Sequence, residues 1–120
     1  PPFEQPDEFE RLASVFSETF VKWPTGIYLL WYPVKSRRAA DTLARQVGQT
    51  CESAGASGKC LRLEFSVAPI AEGRGLTSSG LLVVNPPWTL ADELKTILPE
   101  LQKPLGQGGA GRFRLEVVHP

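Results

Sequence analysis

One run near the start of the chain, residues 27–33, has apolar side chains on both faces of an extended backbone. A strand with one face in water would alternate apolar and polar residues, so this run predicts a central strand covered by helices. Both neighbouring segments have apolar residues at helical spacing. These are Phe9, Leu12, Ala13, Phe16 and Phe20 before the run, and Ala40, Leu43, Ala44 and Val47 after it.

The remaining pattern completes an alternation of helices and strands. Leu61, Leu63 and Phe65 alternate with Arg62 and Glu64, which predicts a half-exposed strand. The predicted order is helix 6–22, strand 27–33, a helix capped by Ser36 that ends near Gly48 or shortly after, strand 61–67, strand 81–85, a helix from residue 89, and strand 113–117. This order indicates an α/β fold with helices on both faces of the sheet.

Two features indicate that the chain is part of a longer protein. It contains no Met and begins with Pro1 and Pro2. Its first element is a helix with no preceding strand to cover, which is unusual in an α/β sheet. We therefore expect an N-terminal part to be absent from these 120 residues.

Charge and cysteine content restrict the functional classes. Thirteen basic and 13 acidic residues give zero net charge, so there is no general electrostatic case for nucleic-acid binding. The cluster Lys35, Arg37 and Arg38 is either a phosphate contact or a solvated helix face. Cys51 and Cys60 lack metal-ligand spacing, and we expect them to be free thiols in a reducing compartment.

The glycines near the C-terminus formally match a dinucleotide-binding pattern. Gly106, Gly108 and Gly111 spell GxGxxG. Phosphate binding by such a loop needs a strand before it and a helix N-terminus after it. Here the predicted order is the reverse, so the sequence does not favour a cofactor loop.

The segment Asn85-Pro86-Pro87-Trp88 follows a predicted strand. In one interpretation the side chain at 85 and the Pro86 carbonyl hold a planar exocyclic amine, on which Trp88 stacks. In the other, the two prolines end the strand and the Trp is buried. Residues 1–4, Pro-Pro-Phe-Glu, look like a second copy that lacks its first residue.

These segments together resemble a known family. The matching signatures are Pro-Pro-Phe-Glu at 1–4, Leu-Trp-Tyr-Pro-Val at 30–34, Arg-Gly-Leu-Thr-Ser-Ser-Gly-Leu at 74–81 and Val-Asn-Pro-Pro-Trp at 84–88. The chain is similar to the C-terminal part of the bacterial 23S ribosomal RNA adenine-N6-methyltransferases, earlier described as proteins for the use of external DNA.

The resemblance implies a fold and an activity. The fold is the C-terminal half of a Rossmann-like class I methyltransferase sheet, so residues 1–120 would be one part of a single domain. The parent protein would transfer a methyl group from S-adenosylmethionine to the N6 amine of an adenine in ribosomal RNA. It would be a cytoplasmic monomer that needs neither metal nor membrane, with DNA as the alternative nucleic acid.

The resemblance also assigns site residues. The catalytic motif, Asp-Pro-Pro-aromatic, maps onto the position before Pro1 and onto Pro1, Pro2 and Phe3, so the copy at residues 85–88 is not the catalytic one. The cofactor contacts would lie upstream of residue 1. Because ligands of α/β sheets bind beyond the carboxyl ends of strands, we expect substrate contacts from the following residues: Tyr32, Pro33, Lys35 and Trp88.

A function of another class stays open from the residues alone. The same sheet and the basic cluster at 35–38 are compatible with a noncatalytic module that binds nucleic acid or protein.

Overall fold

The computed structural model describes residues 7–56, 58–67, 78–105 and 112–118, with only the backbone of residues 103–105. The elements are α1 (Glu8–Lys22), β1 (Tyr28–Pro33), α2 (Arg37–Ser53), β2 (Cys60–Ser66), β3 (Ser78–Val84), α3 (Leu90–Leu105) and β4 (Arg112–Val117). This is the predicted order of elements. No helix in the described ranges is both long and apolar enough to cross a membrane.

The four strands form one sheet in the order β1-β3-β2-β4, and every neighbouring pair is antiparallel. Because β3 runs antiparallel to both β1 and β2, those two strands point in the same direction. Their carboxyl ends therefore lie at the same edge of the sheet. The register shows this directly, since Pro33 and Phe65 both pair with Ser79.

Helices cover both faces of the sheet, as predicted. On one face Leu30 and Leu82 join a core with Phe16 of α1 and Leu43 of α2. The neighbouring residues along each strand point to the opposite face, where α3 packs beside β4. There the side chains of Leu61, Val83 and Leu98 are buried. The mixed α/β class is confirmed.

Within the described sheet the first strand does not occupy the central position that its sequence predicts. β1 pairs only with β3 among the described strands and so lies at an edge. On the α3 face of β1, Ile27, Leu29 and Trp31 are 60%, 66% and 43% exposed. The reason is that α3 packs at the β4 side of the sheet and does not extend over β1.

The predicted half-exposed strand is also wrong, because its charged face is the more deeply buried one. Arg62 and Glu64 are 4% and 3% exposed, whereas Leu63 and Phe65 are only partly buried. β2 lies between β3 and β4, with α2 packed against it. Alternation in sequence shows that the two faces differ in polarity but not which of them water reaches.

Helix α2 begins where the sequence predicts and extends further than expected. The Ser36 hydroxyl accepts a hydrogen bond from the Ala39 amide at 3.4 Å and so caps the helix. The helix continues past Gly48 to Ser53, with Cys51 buried in its last turn. Cys51 and Cys60 are both buried free thiols, as predicted.

Candidate functional site

The strands β1 and β2 end at one edge of the sheet, and β1 leads there directly into α2. Pro33 and Val34 are buried at this edge, and the Val34 amide donates to the Ser78 carbonyl at 3.0 Å. Lys35 follows and is exposed. This edge thus combines two buried apolar residues with an exposed lysine, next to the first turn of α2.

Tyr32 crosses the sheet from β1 toward β2. Its side chain is fully buried, and its ring lies over Gly80 of β3. A Cβ atom at residue 80 would lie 2.2 Å from Tyr32 Cζ, so only glycine leaves room for the ring. The hydroxyl donates to Glu64 Oε2 at 2.7 Å. Burial, and then the Glu64 carboxylate, raise the pKa of Tyr32, so its hydroxyl keeps its proton.

Glu64 is held from three sides. Besides Tyr32, Arg62 donates to its Oε2 through Nη2 at 2.7 Å and through Nε at 3.0 Å. Arg37, from the first turn of α2, donates to Oε1 at 2.7 Å. Burial alone would raise the pKa of Glu64, but these hydrogen bonds lower it overall, so the carboxylate is charged.

Asp41 joins the same network from the next turn of α2. Its Oδ1 accepts a hydrogen bond from Arg62 Nη2 at 2.7 Å. The same oxygen lies 3.7 Å from Arg37 Nη1 and 3.6 Å from Arg114 Nη1. Burial tends to raise the pKa of Asp41, and the arginines outweigh it and lower the pKa. Glu116 pairs with Arg114 at 2.8 Å and completes a set of three arginines and three acids.

The charges in this network balance, and it satisfies its own hydrogen bonds. No buried side-chain nitrogen or oxygen in the described residues lacks a partner. Burial tends to lower the pKa of Arg62, but the hydrogen bonds that it donates to Asp41 and Glu64 outweigh burial and raise it. The lowered pKa values of Asp41 and Glu64 and the raised pKa values of Tyr32 and Arg62 move these four groups away from neutrality, so they do not suit acid–base chemistry. The effect of the network is to hold β1, β2 and α2 in a fixed relation.

Only some of the predicted site residues lie together. Tyr32, Pro33 and Lys35 meet at the carboxyl edge of β1, although the Tyr32 hydroxyl is occupied by Glu64. Trp88 lies four residues beyond Val84, which pairs with Tyr28 at the opposite edge. β1 runs from Tyr28 at one of these edges to Pro33 at the other, so at about 3.3 Å per residue the two edges are about 17 Å apart. The catalytic assignments Pro1, Pro2 and Phe3 lie outside the described residues, as do the glycines at 106–111.

Asn85 has a structural partner for its amide. It adopts a left-handed backbone with φ 56°, and its Nδ2 donates to the carbonyls of Pro24 and Gly26 at 2.8 and 2.9 Å. Both amide hydrogens therefore tie the α1–β1 turn to the end of β3. Trp88 is 92% exposed, so the interpretation that buries it is wrong.

We expect Asn85→Ala to lower the free energy of unfolding by about 2–3 kcal/mol, through two lost hydrogen bonds and left-handed strain. Asn85→Gly keeps the backbone freedom, and we expect a loss of only about 1–2 kcal/mol. Urea unfolding of both variants measures the difference. Equal losses would show that the backbone conformation contributes nothing, and no loss in either would contradict the role of the amide.

Comparison with known proteins identifies the family. The model of a family described as ribosomal RNA large subunit methyltransferase D, RlmJ, matches residues 1–118. The chain belongs to this family. The assignment agrees with the signatures at residues 1–4, 74–81 and 84–88, of which residues 1–4 and 74–77 lie outside the described residues.

Individual relatives from the RlmJ family cover the whole chain. Ribosomal RNA large subunit methyltransferase J of Haemophilus influenzae is 36% identical over 120 residues, and that of Escherichia coli K12 is 34% identical over 122 residues. In each case the match covers 100% of this chain and 41% of the relative. The chain thus spans less than half the length of these proteins.

A solved structure of a Legionella pneumophila protein has the same fold. It superposes with a TM-score of 0.83 at 26% identity, over 98% of this chain and 41% of that one. The strand order and the helices on both faces are therefore shared with an experimentally determined protein.

Sequence reasoning did not predict the charged network, although it singled out Arg37 within a basic cluster. The six charged members come from α2, β2 and β4, and the two buried ones, Arg62 and Glu64, match no motif. One signal was present in Gly80, a glycine inside a strand, which often marks a close approach of another group. The sequence alone does not show that the group is Tyr32.

Proposed function

We propose that these residues form the C-terminal part of an S-adenosylmethionine-dependent methyltransferase that modifies the N6 amine of an adenine in large-subunit ribosomal RNA. The family match over residues 1–118 carries this proposal. The relatives are named ribosomal RNA large subunit methyltransferase J, which supports the reaction and the RNA class. The adenine N6 position and the cofactor come from the resemblance to the adenine-N6-methyltransferases, whose catalytic motif maps onto residues 1–3. A cytoplasmic location follows from that substrate.

The exposed edge of the sheet supports the domain assignment. β1 is a lateral edge strand, one side of which has no neighbour among the described strands. Ile27, just before β1, and Leu29 and Trp31 within it are apolar and exposed on one face. Apolar patches of this kind usually mark an interface. We infer that the rest of the methyltransferase domain joins the sheet here, so that β1 becomes the central strand that its sequence predicts.

The described residues do not suit the cofactor. Phosphate- and nucleotide-type ligands bind at glycine-containing turns that lead from a strand into a helix. Neither such connection in the described chain, residues 34–36 or residues 85–89, contains glycine. We therefore assign no cofactor contact to these residues and expect the cofactor to bind elsewhere in the protein.

The carboxyl edge of β1 is where we place the methyl acceptor. Pro33 and Lys35 lie there, and Tyr32 supports the edge from inside. The cofactor, bound elsewhere in the protein, would supply the methyl group, and the part of this edge would be to hold the adenine amine in position to receive it. Such a transfer depends on orientation more than on a strong base. We propose that the residue before Pro1, the Pro1 carbonyl, Pro2 and Phe3 provide this orientation.

Trp88 needs a separate assignment. Because it lies at the opposite edge, it cannot stack on the base held beside Pro33. We propose that any contact of Trp88 with substrate involves a different segment of the RNA, for which an exposed aromatic ring is a suitable stacking partner.

Calorimetry with S-adenosylhomocysteine tests the proposal on the 120-residue chain and on the full-length gene product. We expect binding by the full-length protein only. Transfer of labelled methyl groups to protein-free large-subunit ribosomal RNA, followed by nucleoside analysis, should then yield N6-methyladenosine. Absence of cofactor binding by both proteins, with RNA binding retained, would favour the noncatalytic module. Methylation at another atom would contradict the N6 assignment.

A further inference from the structure

Arg37 is the one arginine of the buried network that stands at the carboxyl edge of the sheet. It is the first residue of α2, two residues after Lys35, and its side chain is 42% exposed. Both of its contacts, to Glu64 and to Asp41, use Nη1. Among the described residues, Nε and Nη2 make no contact and are free to donate outward.

Helix stability does not explain this arginine. The first turn of α2 contains Arg37 and Arg38 and no acidic residue. A helix N-terminus carries partial positive charge, so cations there are unfavourable by a few tenths of a kcal/mol or more. α1 and α3 follow the usual preference, with acidic residues in their first turns. The contacts of Arg37 with Glu64 and Asp41 offset this cost, but they use Nη1 alone and leave Nε and Nη2 for another partner.

The buried Glu64 carboxylate holds the Arg37 guanidinium in place through Nη1. The Glu64 carboxylate is 3% exposed, and Arg62 and Tyr32 fix its other oxygen. A guanidinium anchored at one nitrogen by a buried carboxylate loses little further freedom when its remaining donors bind a ligand. The planar fork of donors matches the oxygens of a phosphate.

We propose that Arg37 contacts a backbone phosphate of the substrate RNA, and that Glu64 is the positioning residue that directs its guanidinium outward. This inference rests on the proposed function, since the ligand at this edge is taken to be RNA. It assigns to Glu64, from the middle of β2, a role in binding a substrate that it does not touch.

The test measures RNA binding by the full-length gene product as a function of salt. The probe is fluorescently labelled, protein-free large-subunit ribosomal RNA. We expect Arg37→Ala to weaken binding about 10-fold and to reduce the slope of log K against log salt by about one, as the loss of one phosphate contact should. Arg37→Lys should keep the slope and lose part of the affinity, because lysine is a point charge without the fork.

Arg45→Ala is the matched control. It removes the same charge from the same helix, about 12 Å further along α2, where Arg45 is exposed and, within the described part of the chain, bonds only Thr42. We expect its binding and salt slope to match the unmodified protein. Equal behaviour of Arg37→Ala and Arg45→Ala would overturn the proposal.

A double-mutant comparison tests the positioning role of Glu64. Glu64→Gln should weaken RNA binding in the unmodified protein and have no further effect in the Arg37→Ala protein. A purely structural role would weaken binding equally in both. If the unmodified protein does not methylate the RNA but binds it in an Arg37-dependent way, the proposed function is contradicted and this inference stands. Methylation of the RNA, with binding that does not depend on Arg37, would support the proposed function and overturn this inference.

Discussion

Arg62→Met is expected to lower the free energy of unfolding by about 3–5 kcal/mol, which is the largest effect we expect from a single substitution in this chain. Arg62 is 4% exposed and is the common partner of Glu64 and Asp41. Methionine replaces its length but not its charge. The buried Glu64 carboxylate would then keep only Tyr32 and Arg37 as partners, and uncompensated buried charge is strongly destabilising.

Urea unfolding measures this loss, with Arg45→Met as the exposed control, for which we expect a change within about 0.5 kcal/mol. Adding Glu64→Gln to Arg62→Met should recover part of the loss, because the remaining buried charge is removed. A loss below about 1 kcal/mol for Arg62→Met would show that Arg62 and Glu64 do not form a buried ion pair.

The dependence of stability on pH gives an independent measure of the contribution of Glu64. The pKa of Glu64 lies below its ordinary value of 4.5 in the folded chain, so its stabilising contribution is complete above that value. The contribution disappears as the pH falls through the folded pKa. Removing Arg62 takes away a cause of the lowered pKa. We therefore expect the unmodified chain to lose more stability on acidification below pH about 4.5 than the Arg62→Met variant loses.

Gly80→Ala is expected to lower the free energy of unfolding by about 3 kcal/mol. The added Cβ would lie 2.2–2.5 Å from three atoms of the Tyr32 side chain. These atoms belong to a rigid ring whose hydroxyl is held by Glu64, so the ring cannot move away without breaking that hydrogen bond. An alanine in a strand would otherwise be slightly favourable relative to glycine.

The same substitution in a Tyr32→Leu background isolates the clash. Leucine lacks the three contacted atoms, so we expect Gly80→Ala to have less than about 1 kcal/mol of effect there. Ser79→Ala, one residue earlier in β3 on the other face, is the strand control. An equal loss from Gly80→Ala in both backgrounds would show that the ring is not the cause.

The local features of this fold were accessible to sequence reasoning. Helical spacing from Phe9 to Phe20 and the cap at Ser36 gave the positions of α1 and α2, because amphipathic spacing and N-caps depend on nearby residues. The sequence pattern predicts the start of β3 at residue 81, three residues after its start in the structure. Ser78, Ser79 and Gly80 have low strand propensity, and they pair because two neighbouring strands flank them.

Sequence reasoning predicts only half of the candidate site. The location of Lys35 after an apolar strand was sufficient to place it at the carboxyl edge of the sheet. Trp88 was grouped with it because both follow strands, but β3 runs antiparallel to β1 and delivers Trp88 to the other edge. Strand direction is decided by pairing between segments about 50 residues apart, and local patterns contain no information on it.

By itself the sequence determined the number, type and order of the elements, the α/β class and the family signatures, because these depend on residues close together in the chain. The tertiary structure decided the strand order, the edge position of β1 and the burial of Arg62 and Glu64. A charged side chain can be buried only where partners satisfy it, and here those partners lie 21 and 27 residues away on α2. Their meeting depends on the packing of α2 against the sheet, which no local pattern specifies.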